Sequence, residues 1–155
     1  IINKPTDLTL PGLFERIELH FGRADLRETP VFLGGPVQTE RGFVLHDPMR
    51  GANEASDESG YASTLRIPGG LDMTTSKDVL EALSSGVGPR RVLVTLGYAS
   101  WSEGQLEAEL ADNSWLTVAA NTDLIFDTPV AERYDSALGL LGLEAWRLAP
   151  QAGHA

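Results

Sequence analysis

The residues able to do chemistry lie in a few short stretches. Thr74-Thr75-Ser76-Lys77-Asp78 places three hydroxyls and one of the chain's two lysines ahead of the apolar pattern Val79, Leu80, Leu83. That pattern predicts a helix over about 77–84, with Thr74 to Ser76 as caps. Free N–H groups and hydroxyls at such a start could take an anion, or simply cap the helix. It is not a P-loop, because no Gly-x-x-x-x-Gly-Lys-Ser/Thr pattern is present. Gly97-Tyr98-Ala99-Ser100-Trp101-Ser102-Glu103-Gly104-Gln105 reads as a strand end, a turn and a helix start. Ligands in α/β sheets gather at the carboxyl ends of strands. Tyr98 and Trp101 could wall a pocket there, with Ser100 and Gln105 as polar contacts. Ser100 lacks the Gly-x-Ser-x-Gly elbow of a hydrolase nucleophile. Gly34-Gly35-Pro36-Val37 permits a tight turn, and nearby Arg41 could hold an anion or pair with an acid. His46, at a strand end, could act as an acid or base, or simply be packed. Glu103, Glu107, Glu109 and Asp112 read as a solvated helix face, since a calcium site needs more oxygens and a loop frame.

Several elements must hold these residues. Thr9 followed by Leu10-Pro11, with Leu13, Phe14 and Ile17 on one face, predicts a short first helix. Val31–Leu33 and Gly42–His46 read as strands, spaced for a hairpin or for neighbouring positions. Residues 47–60 are small, polar and acidic, and predict a mobile loop. Tyr61–Ile67 reads as a half-exposed strand. Val92–Ala99 is the clearest strand, and its unbroken apolar run predicts cover on both faces. Ser102 to Gln105 fits a capping box and starts a helix to about Asp112, with Leu106 and Leu110 as its buried stripe. Leu124–Phe126 reads as a short strand, Pro129–Leu141 as a helix and Glu144–Leu148 as a final strand. The tail 149–155, with His154, reads as frayed.

Composition narrows the function classes. The chain has 155 residues, with 12 Lys and Arg against 22 Asp and Glu, a net charge of −10. Residues 1–77 carry 8 basic and 11 acidic groups, −3, and residues 78–155 carry 4 and 11, −7. That balance argues against direct nucleic-acid binding and against anionic lipid surfaces. No Cys is present, which excludes disulfides and thiolate chemistry and fits a reducing cytoplasm. Three scattered His predict no metal centre. No apolar run approaches the roughly 18 residues of a membrane span. The order of elements predicts one domain over residues 1–155, of mixed α and β type.

Taken together, the ordered stretches resemble the AlgH/YqgE family of bacterial proteins. They are Ile2-Asn3-Lys4-Pro5, Gly34-Gly35-Pro36-Val37, Arg41 to His46, Thr74 to Asp78, Leu96 to Trp101, Gly104 to Glu107, Glu109-Leu110, Asn113-Ser114-Trp115-Leu116 and Ala152 to Ala155. The resemblance implies an α+β fold with a mixed sheet partly curled into a barrel-like shape and helices packed on it. It implies an N-terminal strand and helix ahead of Ile1, which this sequence lacks. It also implies a cytoplasmic protein described as a transcriptional regulator, with no catalytic residues or cofactor to carry over. The resulting expectation is a regulatory protein acting through a small ligand or a protein partner, as a monomer or homodimer, and more a binder than an enzyme. Its binding residues would be Gly34, Gly35, Arg41, His46, Thr75, Ser76, Lys77, Tyr98, Ser100, Trp101 and Gln105. The alternative is a hydrolase acting on a small phosphorylated or acyl substrate, with His46 as its base. Direct DNA binding would instead need a basic face from Arg23, Arg27, Arg90 and Arg91.

Overall fold

The computed structural model describes residues 1–48, 60–145 and 148. Six strands form one mixed sheet in the order β1-β2-β6-β3-β5-β4. They are β1 (Pro5–Thr9), β2 (Pro30–Leu33), β3 (Val37–His46), β4 (Thr64–Ile67), β5 (Leu71–Thr74) and β6 (Val92–Tyr98). Five helices accompany them: α1 (Leu10–Arg16), α2 (Asp78–Ser84), α3 (Gln105–Ala111), α4 (Thr122–Phe126) and α5 (Arg133–Leu140). β6 lies inside the sheet, parallel to β2 and antiparallel to β3.

Alternation along each strand divides the sheet into two faces. Val31, Val44, Val92 and Val94 point one way and pack with Leu10 and Phe14 of α1 and Val79 and Leu83 of α2. Each such side chain, buried almost completely, contributes about 1.5–3 kcal/mol. Phe32 and Leu93 point the other way and are equally buried. There α5 lays the guanidinium of Arg133 over the Phe32 ring, 5.2 Å from its centroid. The continuous apolar run of β6 thus marks a strand buried on both sides, as its sequence predicts.

The sheet is mixed but open, because the edge strands β1 and β4 lie at opposite ends of the order. The barrel-like curl is therefore present only in part. Several local expectations are corrected. β2 and β3 are neither a hairpin nor neighbours; β6 lies between them. Leu124–Phe126 is not a strand but the end of α4, whose first turn is capped by the Asn121 side chain accepting from the Leu124 N–H at 2.9 Å. Thr74 is not a helix cap; it ends β5. Leu106 is only half-buried and Leu110 is exposed, so α3 has no buried stripe. The expected helix over Pro129–Leu141 begins with a 3-10 turn, Val130–Glu132, before α5. Glu144, Ala145 and Leu148 are not in a strand, and the rest of that expected element lies outside the described residues. So do almost all of the loop expected over 47–60 and the tail 149–155.

The link from β2 to β3 is only Gly34-Gly35-Pro36, yet it must step across the end of β6. Gly34 N–H donates to the Leu96 carbonyl at 2.8 Å, holding the chain on that strand. A Cβ on Gly34 would lie 2.2 Å from the Gly97 carbonyl oxygen, and one on Gly35 would lie 2.1 Å from the Tyr98 carbonyl carbon. Those obstacles are backbone and cannot rotate aside. Gly35→Ala is expected to destabilise the fold by about 2–4 kcal/mol in urea denaturation, the range of severe overpacking.

Candidate functional site

A cavity of about 410 Å³ opens beside the N-terminal ends of β2 and β6. Three stretches of chain build it. The 3-10 turn Ala24–Leu26 and the loop after it give Asp25, Leu26 and Glu28, and β2 gives Pro30 and Phe32. The start of β6 gives Arg90 to Leu93. Phe126, Asp127, Pro129, Val130 and Arg133 come from α4, α5 and the turn between them. The size falls within the usual range for small-molecule sites, and the walls mix apolar with charged and polar side chains.

Of the three arginines in the walls Arg90 is exposed, and the other two are in opposite electrostatic states. Arg91 is saturated. Its Nε and Nη2 donate to Asp47 Oδ1 at 3.0 and 2.9 Å, and its Nη1 donates to Asp123 and Asp127, each at 2.9 Å. Its backbone N–H adds a further tie, to Asp47 Oδ2 at 3.1 Å. Its Cζ also lies 5.2 Å from the centroid of the Phe126 ring. The hydrogen bonds to Asp47, then those to Asp123 and Asp127, push its pKa above the ordinary arginine value. This residue fastens α4 to the ends of β3 and β6.

Arg133 is the reverse case. It is 7% exposed, and no carboxylate pairs with it among the described residues. Its Nε donates to the Thr128 carbonyl at 3.1 Å, and its Nη1 donates to the Ile2 carbonyl. Burial alone pulls its pKa below the usual arginine value. A guanidinium remains charged even so. The cavity therefore has one buried, incompletely neutralised cation in its wall. Its rim carries Asp25, Glu28 and Asp127.

The residues singled out from sequence fall elsewhere. Gly34, Gly35 and Tyr98 meet at the opposite end of β6, through their backbones. Arg41 joins them indirectly: its Cζ lies 5.6 Å from the Phe43 ring centroid, and Phe43 meets Tyr98 edge-on at 5.3 Å. Arg41 is exposed and donates to Gln38 Oε1 at 3.4 Å. Ser76 Oγ accepts from the Ser63 N–H at 3.1 Å and donates to Asp78 Oδ1 at 2.5 Å. Thr75 N–H donates to the Ser63 carbonyl at 3.0 Å, and Lys77 is exposed. That helix start thus spends its hydroxyl on holding the approach to β4.

His46 is 1% exposed and occupied on both ring nitrogens. Nδ1 donates to the Asp47 carbonyl at 2.7 Å, and Nε2 is hydrogen-bonded to Thr74 Oγ1 at 2.9 Å. His46 pairs with Val92, while Ser100 lies beyond Tyr98 at the far end of the same strand. Six residues of strand separate those ends by roughly 20 Å. Ser100 is exposed. Trp101 and Gln105 join a third group. The indoles of Trp101 and Trp115 both donate to Glu109 Oε2, at 3.0 and 2.6 Å, and Gln105 donates to Oε1 at 2.8 Å. These bonds, that of Trp115 first, hold the Glu109 carboxyl below the usual carboxylate range. Gln105 also accepts from Ser102 N–H at 3.0 Å, but α3 begins at Gln105 with Gly104 as its N-cap, so the expected capping box does not form.

Of the basic face that DNA binding would need, Arg23 is bound to Asp25 at 2.6 Å and to two backbone carbonyls, and Arg91 to three carboxylates. No group of three His, Asp or Glu among the described residues is arranged to hold a metal ion. Sequence reading missed the cavity because its walls come from three separated stretches, around residues 25–32, 90–93 and 126–133. One signal was present: Arg133 is the sole Lys or Arg between Arg91 and Arg147, shortly after the apolar pair Val130-Ala131.

The wall should depend unequally on its carboxylates. Asp47 is 22% exposed in its side chain and makes several bonds to Arg91, whereas Asp123 is 81% exposed and Asp127 57%. Asp47→Ala is expected to cost about 1–2 kcal/mol in urea denaturation. Asp123→Ala and Asp127→Ala should each stay within about 0.5 kcal/mol.

Comparison with known proteins matches this geometry to a family. The AlgH-like family model covers residues 1–146. A UPF0301 protein from Acidovorax sp. (strain JS42) is 71% identical over 155 residues, which are all of this chain and 78% of that protein. A UPF0301 protein from Delftia acidovorans is 68% identical with the same coverage. The solution structure of AlgH from Pseudomonas aeruginosa superposes with a TM-score of 0.71 at 45% identity, covering 99% of this chain and 77% of that one. A Corynebacterium diphtheriae protein, at 17% identity and a TM-score of 0.57, shares the fold. This chain belongs to the AlgH-like family.

Proposed function

We propose that this protein binds a small organic monoanion, a carboxylate with an apolar body, and acts through that binding as a regulatory protein rather than as an enzyme. The observation that carries the reading is Arg133, a buried cation with no carboxylate partner among the described residues, in the wall of a cavity that also has apolar lining. A carboxylate there would gain a charge-assisted bond in a poorly solvated place, where such a bond is strongest. Phe126 and Val130 offer contact for an apolar body. The acids at the rim disfavour ligands of high negative charge, nucleotides and nucleic acid included.

Other observations support a binder over a hydrolase. His46 has both nitrogens engaged inside the core, about 20 Å along the sheet from Ser100. A cytoplasmic setting fits a chain without Cys. Regulation through the ligand or a protein partner is preferred to direct DNA contact, because Arg23 and Arg91 are already neutralised.

Thermal unfolding with benzoate, hexanoate, neutral benzamide and inorganic phosphate tests this reading. Benzoate or hexanoate should raise the melting temperature in a saturable way. A ligand at 100 times its dissociation constant stabilises by about 2.7 kcal/mol. Arg133→Met should abolish the effect, and so should Val130→Phe, which fills the cavity from its wall without touching the cation. Equal stabilisation by benzamide or phosphate, or no stabilisation by either carboxylate at millimolar concentration, overturns the proposal.

A further inference from the structure

The segment from Ala99 to Ala120 carries large apolar side chains that the sheet does not use. Trp101 is 37% exposed, Trp115 49% and Leu116 53%. No residue of α3 is buried, and residues 111–120 are exposed throughout. Scattered exposed apolar residues are ordinary; adjacent ones held in fixed positions are not. The two indoles meet edge-on with centroids 5.7 Å apart. Both N–H groups are pinned by one carboxylate oxygen of Glu109, and the other oxygen by Gln105. This aromatic pair is therefore ordered before any partner arrives, and preorganised aromatic anchors lose little entropy on binding.

Charge decides what would cover it. From residue 92 to residue 132 the chain has seven Asp and Glu and no Lys, Arg or His. Four of those acids, Glu103, Glu107, Glu109 and Asp112, lie on or beside α3, the helix that presents the pair. A second copy meeting this surface about a two-fold axis would bring like charges face to face. An anionic lipid surface would be repelled. A polypeptide carrying Arg or Lys among aliphatic residues meets both demands. Its apolar side chains cover Leu116 and the ring edges, and its cations lie over indole faces backed by Glu109.

We infer that the Trp101–Trp115 surface is a docking site for a basic, apolar segment of a partner protein. The inference rests on a different surface from the cavity and stands independently of it. The probe is a ten-residue Arg/Leu peptide, with Glu/Leu and Gln/Leu peptides of equal length as controls. Binding is measured by titration calorimetry and by the indole N–H resonances of Trp101 and Trp115, assigned from single Trp→Phe variants. The Arg/Leu peptide should bind saturably and shift both resonances, and the Glu/Leu peptide should not bind. Leu116→Arg and Trp115→Ala should each weaken binding at least about tenfold, as losses at interface anchors do. Circular dichroism confirms that each variant is folded, and Leu116→Arg alters a residue already at the surface. Three outcomes overturn the inference: equal binding of the Gln/Leu or Glu/Leu peptide, Arg/Leu binding that ignores both substitutions, or self-association in sedimentation that Leu116→Arg abolishes.

Discussion

The fold depends on one steric constraint, the passage of Gly34 and Gly35 across the end of β6. A strand entering between two others that are already joined by three residues must end beneath their link. Here the link touches the strand backbone to backbone, with room for hydrogen and nothing larger. Once that crossing is made, β2 and β3 are fixed on either side of β6, one parallel and one antiparallel. The bulge in β3 follows from the same crowding. Val37 pairs with Tyr98 and Gly42 with Leu96, so five residues of one strand span two steps of the other, with Gln38 at a φ of 48° to absorb the excess. The Gly-Gly-Pro stretch that sequence offers as a ligand loop thus has a structural task of its own.

The electrostatics of this acidic chain turn on where its few cations sit. Arg23 and Arg91 have carboxylate partners at or below 2.9 Å, and each ties a surface piece to the sheet. Arg133 does not. Burying an uncompensated cation costs several kcal/mol. Two backbone carbonyls and the face of Phe32 offset part of that cost. Carbonyl dipoles and a ring quadrupole soften a charge without cancelling it, so an anion retains a reason to enter. With the net charge at −10, the protein's field as a whole favours cationic partners, and that lone guanidinium is the local exception.

What the sequence made legible follows from how local each signal is. β6 could be read because seven residues suffice to show a strand covered on both faces. α1 could be read because Pro11 and the Leu10, Leu13, Phe14 spacing lie within one turn or two. β1 was hidden by Pro5 and Asp7, which suit an edge strand and resemble a loop. β5 was hidden because four residues with Asp72 among them resemble a linker; the carboxylate is buried all the same. Leu124-Ile125-Phe126 is too short for periodicity to separate helix from strand, and only Asn121 as a cap could have decided it. The placement of β6 between β2 and β3, and with it the cavity, arises from pairings about sixty residues apart. No local pattern encodes such a pairing.

The same separation explains why family membership and mechanism are different problems here. The stretches that identify the family, Gly34 to Val37 and Gly97 to Trp101, are those the crossing and the aromatic pair require. They report architecture first. Two pieces of chain link the cavity and the Trp101–Trp115 surface: β6 with the residues after it to Trp101, and residues 115–127. The far end of the latter, α4, supplies Phe126 to the cavity wall and Asp123 beside it to Arg91. Coupling between two sites needs an element whose position both can bias. β6 is fixed in the middle of the sheet, whereas α4 lies at its margin and is tied to it by Arg91. A ligand against Phe126 acts on that helix directly, whereas a partner on Trp115 acts on it only through the exposed residues 116–120. Those residues have few contacts through which to transmit a displacement. The physical argument therefore favours two sites that work independently, with the cavity reporting to the sheet and the aromatic surface serving as a fixed handle.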